Sequence, residues 1–112
     1  MIEQVLPAAL NEWFDRSKAA PHVVLDVREP WEVQTASVKP KGFTLLPIPM
    51  NEVPSRLGEL DTDARIACLC HHGSRSQHVA AFLVRHGYEA VANVAGGIDA
   101  WSLQRDTSVP RY

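Results

Sequence analysis

The sequence has only two cysteines, Cys68 and Cys70, in 112 residues. Two are too few for the disulfide scaffold of a small secreted domain, so a reducing compartment is expected. A disulfide between them would close a strained small ring across a strand end and is not expected. No apolar run approaches the roughly 20 residues of a membrane span, and Met1 opens no leader pattern, so a cytoplasmic location is expected. Charge of one sign is also lacking: 11 Lys and Arg face 13 Asp and Glu, a formal −2. A nucleic-acid-binding stripe needs clustered basic residues, so neither a nucleic acid nor a membrane is an expected partner. The 5 histidines show no paired ligand spacing, and His71 and His72, being adjacent, should diverge. Neither a metal nor another cofactor is therefore expected. Repeats, low-complexity tracts and linkers are missing too. One continuous domain over 1–112 is expected, with a core of about 2–105 and a short C-terminal tail, 106–112.

What is present is an alternation of short apolar runs with amphipathic stretches. Ile2–Val5 reads as a first strand and Pro7–Phe14 as a helix behind it. Val23, Val24 and Leu25 form a dense run within His22–Val27, the pattern of a strand buried on both faces. Pro30 suits the first position of a helix beginning at Glu29-Pro30-Trp31. Phe43–Ile48 is a third apolar run. Asn51 is placed to cap a helix on which Val53, Leu57 and Leu60 share a face. Arg65–Leu69 and Val91–Val94 read as two more buried strands. Between them, Ser76–His86 has helical periodicity and stops at Gly87. Ile98–Arg105 reads as a closing helix after Gly96-Gly97. The fold class is α/β: three layers, with a mostly parallel sheet of about five strands flanked by helices.

In open sheets of this kind, ligand sites form beyond the carboxyl ends of the strands. Three strands here run into suggestive residues: Asp26-Val27-Arg28, Cys70, and Ala95-Gly96-Gly97. Parallel strands would gather them on one rim. The central piece, Cys70-His71-His72-Gly73-Ser74-Arg75-Ser76, lies between a strand and a helix. Gly73 permits the left-handed turn that lets backbone N–H groups face a sulfur, and the helix adds its own free N–H groups and dipole. A sulfur so held is stabilised as an anion, whether thiolate or persulfide. Arg75 and, in part, His71 and His72 add positive charge. Cys68, inside the apolar run, reads as a buried hydrophobe. Two reactions suit a cysteine, an amide cradle and an arginine: thiol-mediated phosphoryl transfer and sulfur transfer. Only four residues separate Cys70 from Arg75. A ring of amides that small suits a single sulfur atom better than a phosphoryl group.

Three segments then resemble the rhodanese-like domains, the single-domain sulfurtransferase family. They are Leu25-Asp26-Val27-Arg28-Glu29-Pro30-Trp31-Glu32, Cys70–Ser76, and Ala95-Gly96-Gly97-Ile98-Asp99-Ala100-Trp101. The resemblance runs from about residue 2 to 105 and implies a rhodanese-like fold. It implies that Cys70 takes a sulfane sulfur from thiosulfate or a persulfide, becoming a persulfide itself, and passes it to cyanide or a thiol. The donor and acceptor are small molecules, although a protein partner in sulfur transfer is compatible. His71, His72, Gly73, Ser74, Arg75 and Ser76 are the implied substrate-binding loop, with Asp26 and Arg28 either its support or direct contacts to substrate. Gly96, Gly97, Trp101 and Trp31 are expected to shape rim and core, with a place near the site left open for Trp31. Ser37–Thr44 departs from the family's Gly-His-Ile-Pro-Gly-Ala run, whereas Leu46-Pro47-Ile48-Pro49 resembles its ending. The loop also lacks fixed basic residues before Arg75, which separates it from members efficient with thiosulfate. The alternatives are a non-catalytic or regulatory rhodanese-like sulfur-binding module and, further off, a phosphatase or arsenate reductase.

Overall fold

The run of β-branched and aliphatic residues in each apolar segment becomes a strand. A computed structural model, which describes residues 2–112, contains β1 (Glu3–Val5), β2 (His22–Asp26), β3 (Thr44–Pro47), β4 (Arg65–Leu69) and β5 (Val91–Val94). All pair in parallel in the order β1-β5-β4-β2-β3, so the sheet is wholly rather than mostly parallel. Its helices are α1 (Leu10–Phe14), α2 (Pro30–Thr35), α3 (Ser74–Arg85) and α4 (Gly97–Gln104).

Strand side chains alternate between two cores. Val24, Ala67, Leu69, Ala92 and Val94 pack with Leu10, Trp13 and Phe14 of α1 and Ile98 and Trp101 of α4. Leu25, Ile66, Cys68 and Val91 pack with Val79, Ala80 and Leu83 of α3. Apolar residues on both faces explain why these strands read as continuous hydrophobic runs.

One expected helix takes another form. Asn51 and Leu57 belong to two 3-10 turns, Met50–Glu52 and Pro54–Glu59, with Val53 linking them and Leu60 closing the second, so no capped α-helix forms. Pro49 and Pro54 carry no N–H for an α-helical ladder, and Arg56, at φ −119°, breaks the helical path. The apolar spacing still serves the core: Val53 and Leu60 are buried. Pro7 likewise turns the start of the first helix into a 3-10 turn, Pro7–Ala9, ahead of α1. Beyond α4, Val109 is buried in the same core as Trp101, so residues 106–112 pack on the body of the fold.

Topology positions the site. β4 is the central strand, with β2 and β5 on either side. The chain leaving β4 at Cys70 therefore emerges between the ends of β2 and β5. Gly97, at φ +62°, opens α4 directly against it. A Cβ there would lie 2.5 Å from the Cys70 carbonyl oxygen and would also meet the His71 carbonyl. Gly97→Ala should cost about 2–4 kcal/mol and displace the 70–73 loop. Chemical denaturation measures the cost. A variant as stable as the wild type would contradict this close approach.

Candidate active site

The residues after β4 would be an ordinary loop but for the direction in which their peptides point. The Ile98 N–H donates to the Cys70 carbonyl at 2.9 Å, and the Asp99 N–H to the His71 carbonyl at 3.2 Å. These are first-turn amides of α4, which need acceptors outside their own helix. With those carbonyls turned toward α4, Gly73 reverses the chain at φ +104° and caps α3. Its N–H donates to Cys70 Sγ at 3.1 Å. Ser76 Oγ, in the first turn of α3, lies 3.2 Å from the same sulfur.

Ser76 Oγ is also 2.5 Å from Asn93 Oδ1 on β5. A hydroxyl has one hydrogen, so it serves either the amide oxygen or the sulfur, and a negative sulfur draws it. Asn93 Nδ2 spends its two hydrogens on Gly73 O at 3.0 Å and Gln4 Oε1 at 2.9 Å. That fixes which way its oxygen faces. Asn93 thus braces both neighbours of Sγ from a position only 3% exposed.

A second network steadies the loop from the β2 side. Arg28 and Asp26 are buried at 1% and 0% exposure and form a bidentate pair at 2.7 and 2.9 Å. The remaining Arg28 donors reach the Glu32 and Ala36 carbonyls and Tyr112 Oη. All five guanidinium hydrogens therefore have acceptors. Burial works against the Arg28 charge, yet the bonds to Asp26 outweigh it and raise its pKa. The two backbone carbonyls tie down α2, which carries Glu32. Glu32 in turn holds Arg75 bidentately at 2.6 and 2.8 Å. Its carboxylate also accepts from the Glu29 N–H and from Tyr112 Oη. Hydrogen bonds from Arg75, opposed by burial and joined by Tyr112, hold the Glu32 pKa at about 2. The same pairing raises that of Arg75.

The residues marked in the sequence are thus gathered at one end of the sheet. Cys70, 1% exposed, contacts Gly73 and Ser76. Arg75 faces Glu32. Asp26 and Arg28 brace α2, and Ser74 and His72 are exposed. His71 and His72 do not diverge: their rings stack at 3.9 Å, and Tyr112 stacks on His71 at 4.0 Å. A third ring on the far face explains the alignment. His71 Nε2 is buried without a hydrogen-bond partner. Trp31 is 62% exposed and meets Tyr112 edge-on, whereas Trp101 is in the core. Cys68 is fully buried, and that burial, with the nearby Cys70, pushes its thiol pKa up, which fits an inert core residue. A cleft of about 280 Å³, lined by Val27, Glu29, Met50, Asn51 and Arg75, opens beside the loop.

Asn93, Glu32 and Tyr112 were not marked by their sequence positions. Asn93 had a usable signal, as the one amide inside the apolar run Val91–Val94. Glu32 sits within a resembling segment but looks like any helix-surface acid. Tyr112 offers no local signal. Among the described residues, no group of three or more His, Cys, Asp and Glu could hold a metal ion, and no helix is long and apolar enough to cross a membrane.

Comparison with known proteins gives a consistent picture. The family model described as the rhodanese-like domain matches residues 6–104. The chain is 37% identical over 91 residues to Rhodanese-like/PpiC domain-containing protein 12, chloroplastic, of Arabidopsis thaliana. That match covers 80% of this chain and 30% of the plant protein, so the chain spans under a third of that relative. It is 38% identical over 80 residues to thiosulfate sulfurtransferase GlpE of Haemophilus influenzae, covering 70% of this chain and 71% of that protein. The crystal structure of a rhodanese-related protein from Thermoplasma volcanium superposes with a TM-score of 0.76 at 30% identity. It covers 92% of this chain and 93% of that one.

Glu32 supplies a test of the bracing network. A carboxyl whose folded pKa is depressed stabilises the fold above its ordinary value of 4.5, and that contribution is lost as pH falls toward about 2. Glu32→Gln should cost about 2 kcal/mol at neutral pH, a figure reduced for the partly exposed Arg75. Urea titrations across pH should show wild type and variant converging below pH 4.5. An equal difference at pH 3 and pH 7 would contradict the assignment.

Proposed function

Since the chain belongs to the rhodanese-like domain family, we propose that it is a sulfurtransferase that carries a sulfane sulfur as a persulfide on Cys70. The observation that carries this reading is the setting of Cys70 Sγ. It sits at the end of the central strand, with the Gly73 N–H aimed at it, the Ser76 hydroxyl 3.2 Å away and the Cys70 and His71 carbonyls turned toward α4. The named activity of the Haemophilus influenzae relative supports the same reaction class.

In the first step the Cys70 thiolate attacks the outer sulfur of thiosulfate, or the terminal sulfur of a persulfide. The new S–S bond forms as the old one breaks, and sulfite, or the donor thiolate, leaves with the bonding pair. Cys70 then bears a persulfide anion. Its negative sulfur gains from the Gly73 N–H already directed at Sγ, from the neighbouring N–H groups of His71 to Ser76, from the Ser76 hydroxyl once it turns from Asn93, and from the N-terminal end of α3. In the second step a thiolate or cyanide attacks that sulfur, forming a new persulfide or thiocyanate and returning Cys70 as thiolate. Charge and electron count balance in both steps, so neither an outside oxidant nor a reductant is required.

Asp26 and Arg28 support the loop in this reading. Arg28 has no N–H left for a substrate, and its two carbonyl contacts hold α2 in place. Arg75, held bidentately by Glu32, fixes the start of α3, on which Ser76 sits.

The measurement is intact-mass spectrometry after incubation with thiosulfate and with low-molecular-weight persulfides. Wild type should gain the mass of one sulfur atom and lose it on adding cyanide, while Cys70→Ser gains none. Wild type left unmodified by every donor would contradict the proposal and favour a non-catalytic module.

A further inference from the structure

Tyr112 lies beyond residue 104, where the family match ends. The segment that carries it is nevertheless pinned along its length. The Arg105 and Asp106 N–H groups both donate to the Trp101 carbonyl at 2.9 Å. Asp106 Oδ1 accepts from the Ser108 backbone and hydroxyl, and Lys39 Nζ donates to Ser108 Oγ at 2.8 Å. Val109, 2% exposed, anchors the segment in the core. Arg111 pairs with Asp99 on α4 at 2.8 Å. These contacts bring the last side chain back to the loop that follows Cys70.

There Tyr112 does two things at once. Its ring lies parallel to His71 at 4.0 Å and 5°, on the face opposite His72. Its hydroxyl donates to Glu32 Oε2 at 2.6 Å and accepts from Arg28 Nη1 at 3.1 Å. It therefore joins the two bracing residues to each other while clamping the residue next to Cys70. The hydroxyl stays protonated and able to donate, since burial holds its pKa above the ordinary value, with Arg28 opposing and Glu32 reinforcing.

We propose that Tyr112 is a positioning residue for the chemistry at Cys70, its ring fixing His71 and its hydroxyl fixing the Glu32 carboxylate that holds Arg75. The segment after α4 is then a working part of the site. This role rests on Cys70 being the reacting atom, as read above, but it does not depend on which group Cys70 transfers.

The test uses Tyr112→Phe, which keeps the ring stack and removes the hydroxyl, and Tyr112→Leu, which removes both. Cys70 alkylation by iodoacetamide is followed from pH 5 to 9, alongside thermal melting and sulfur loading. Charged and titratable groups facing this corner are Arg28 and Asp26 at the end of β2, Glu32 on α2 and Arg75 on α3. His71 and His72 on the loop, Asp99 on α4 and its partner Arg111 face it as well. The Phe variant should melt close to wild type yet alkylate about threefold more slowly near neutral pH, with the acid limb of its profile moved upward. The Leu variant should slow by about tenfold, because His71 is released as well. Wild-type alkylation profiles in both variants would overturn the proposal. So would a wild-type Phe variant beside a Leu variant whose loss follows only its unfolded fraction. If no donor loads sulfur onto the wild type but the alkylation profiles shift as expected, the sulfur-transfer reading fails and the positioning role stands.

Discussion

Two backbone hydrogen bonds decide which way the loop at Cys70 faces. Because the first amides of α4 take the Cys70 and His71 carbonyls, the loop turns its C=O groups toward that helix. The Gly73 N–H is left for the sulfur. The arrangement needs a residue without a side chain where α4 opens, and Gly97 supplies it. Helix α4 is itself held by Ile98 and Trp101 in the core. The polarity around the sulfur is thus a consequence of how one short helix packs.

The arginines do a different job from the one their charge suggests. Arg28 is buried with every hydrogen engaged, and Arg75 is paired with Glu32. Breaking either pair would leave a charge uncompensated in a partly dry setting, which makes these contacts rigid supports. A chain of contacts runs from Asp26 through Arg28, α2 and Glu32 to Arg75 on α3. It connects the ends of β2 and β4 independently of the sheet. Asn93 performs the matching task from β5, holding the Gly73 carbonyl and the Ser76 hydroxyl. Three strand ends therefore converge on one sulfur.

Much of this was legible in the sequence, for identifiable reasons. Strands buried on both faces write themselves as unbroken apolar runs, so Val23–Leu25, Ile66–Leu69 and Val91–Val94 marked their places. The Cys70 loop was visible because a glycine and a helix start follow the cysteine at short, fixed offsets. The 50–60 region was misjudged because side-chain spacing records burial but not hydrogen-bond type, and prolines decided the latter. Glu32 and Tyr112 escaped because they join the site through long-range contacts, 43 residues from Arg75 in one case and 84 from Arg28 in the other. The His71–His72 stack was hidden for the same reason, since its third ring comes from the far end of the chain.

The central claim is that the loop amides hold an anionic sulfur on Cys70. A crystal structure of the protein after treatment with a sulfur donor tests it most directly. The account predicts a second sulfur about 2.05 Å beyond Sγ, ringed by backbone N–H groups of residues 71–76. A terminal sulfur turned away from those amides, with none at hydrogen-bonding distance, would contradict it.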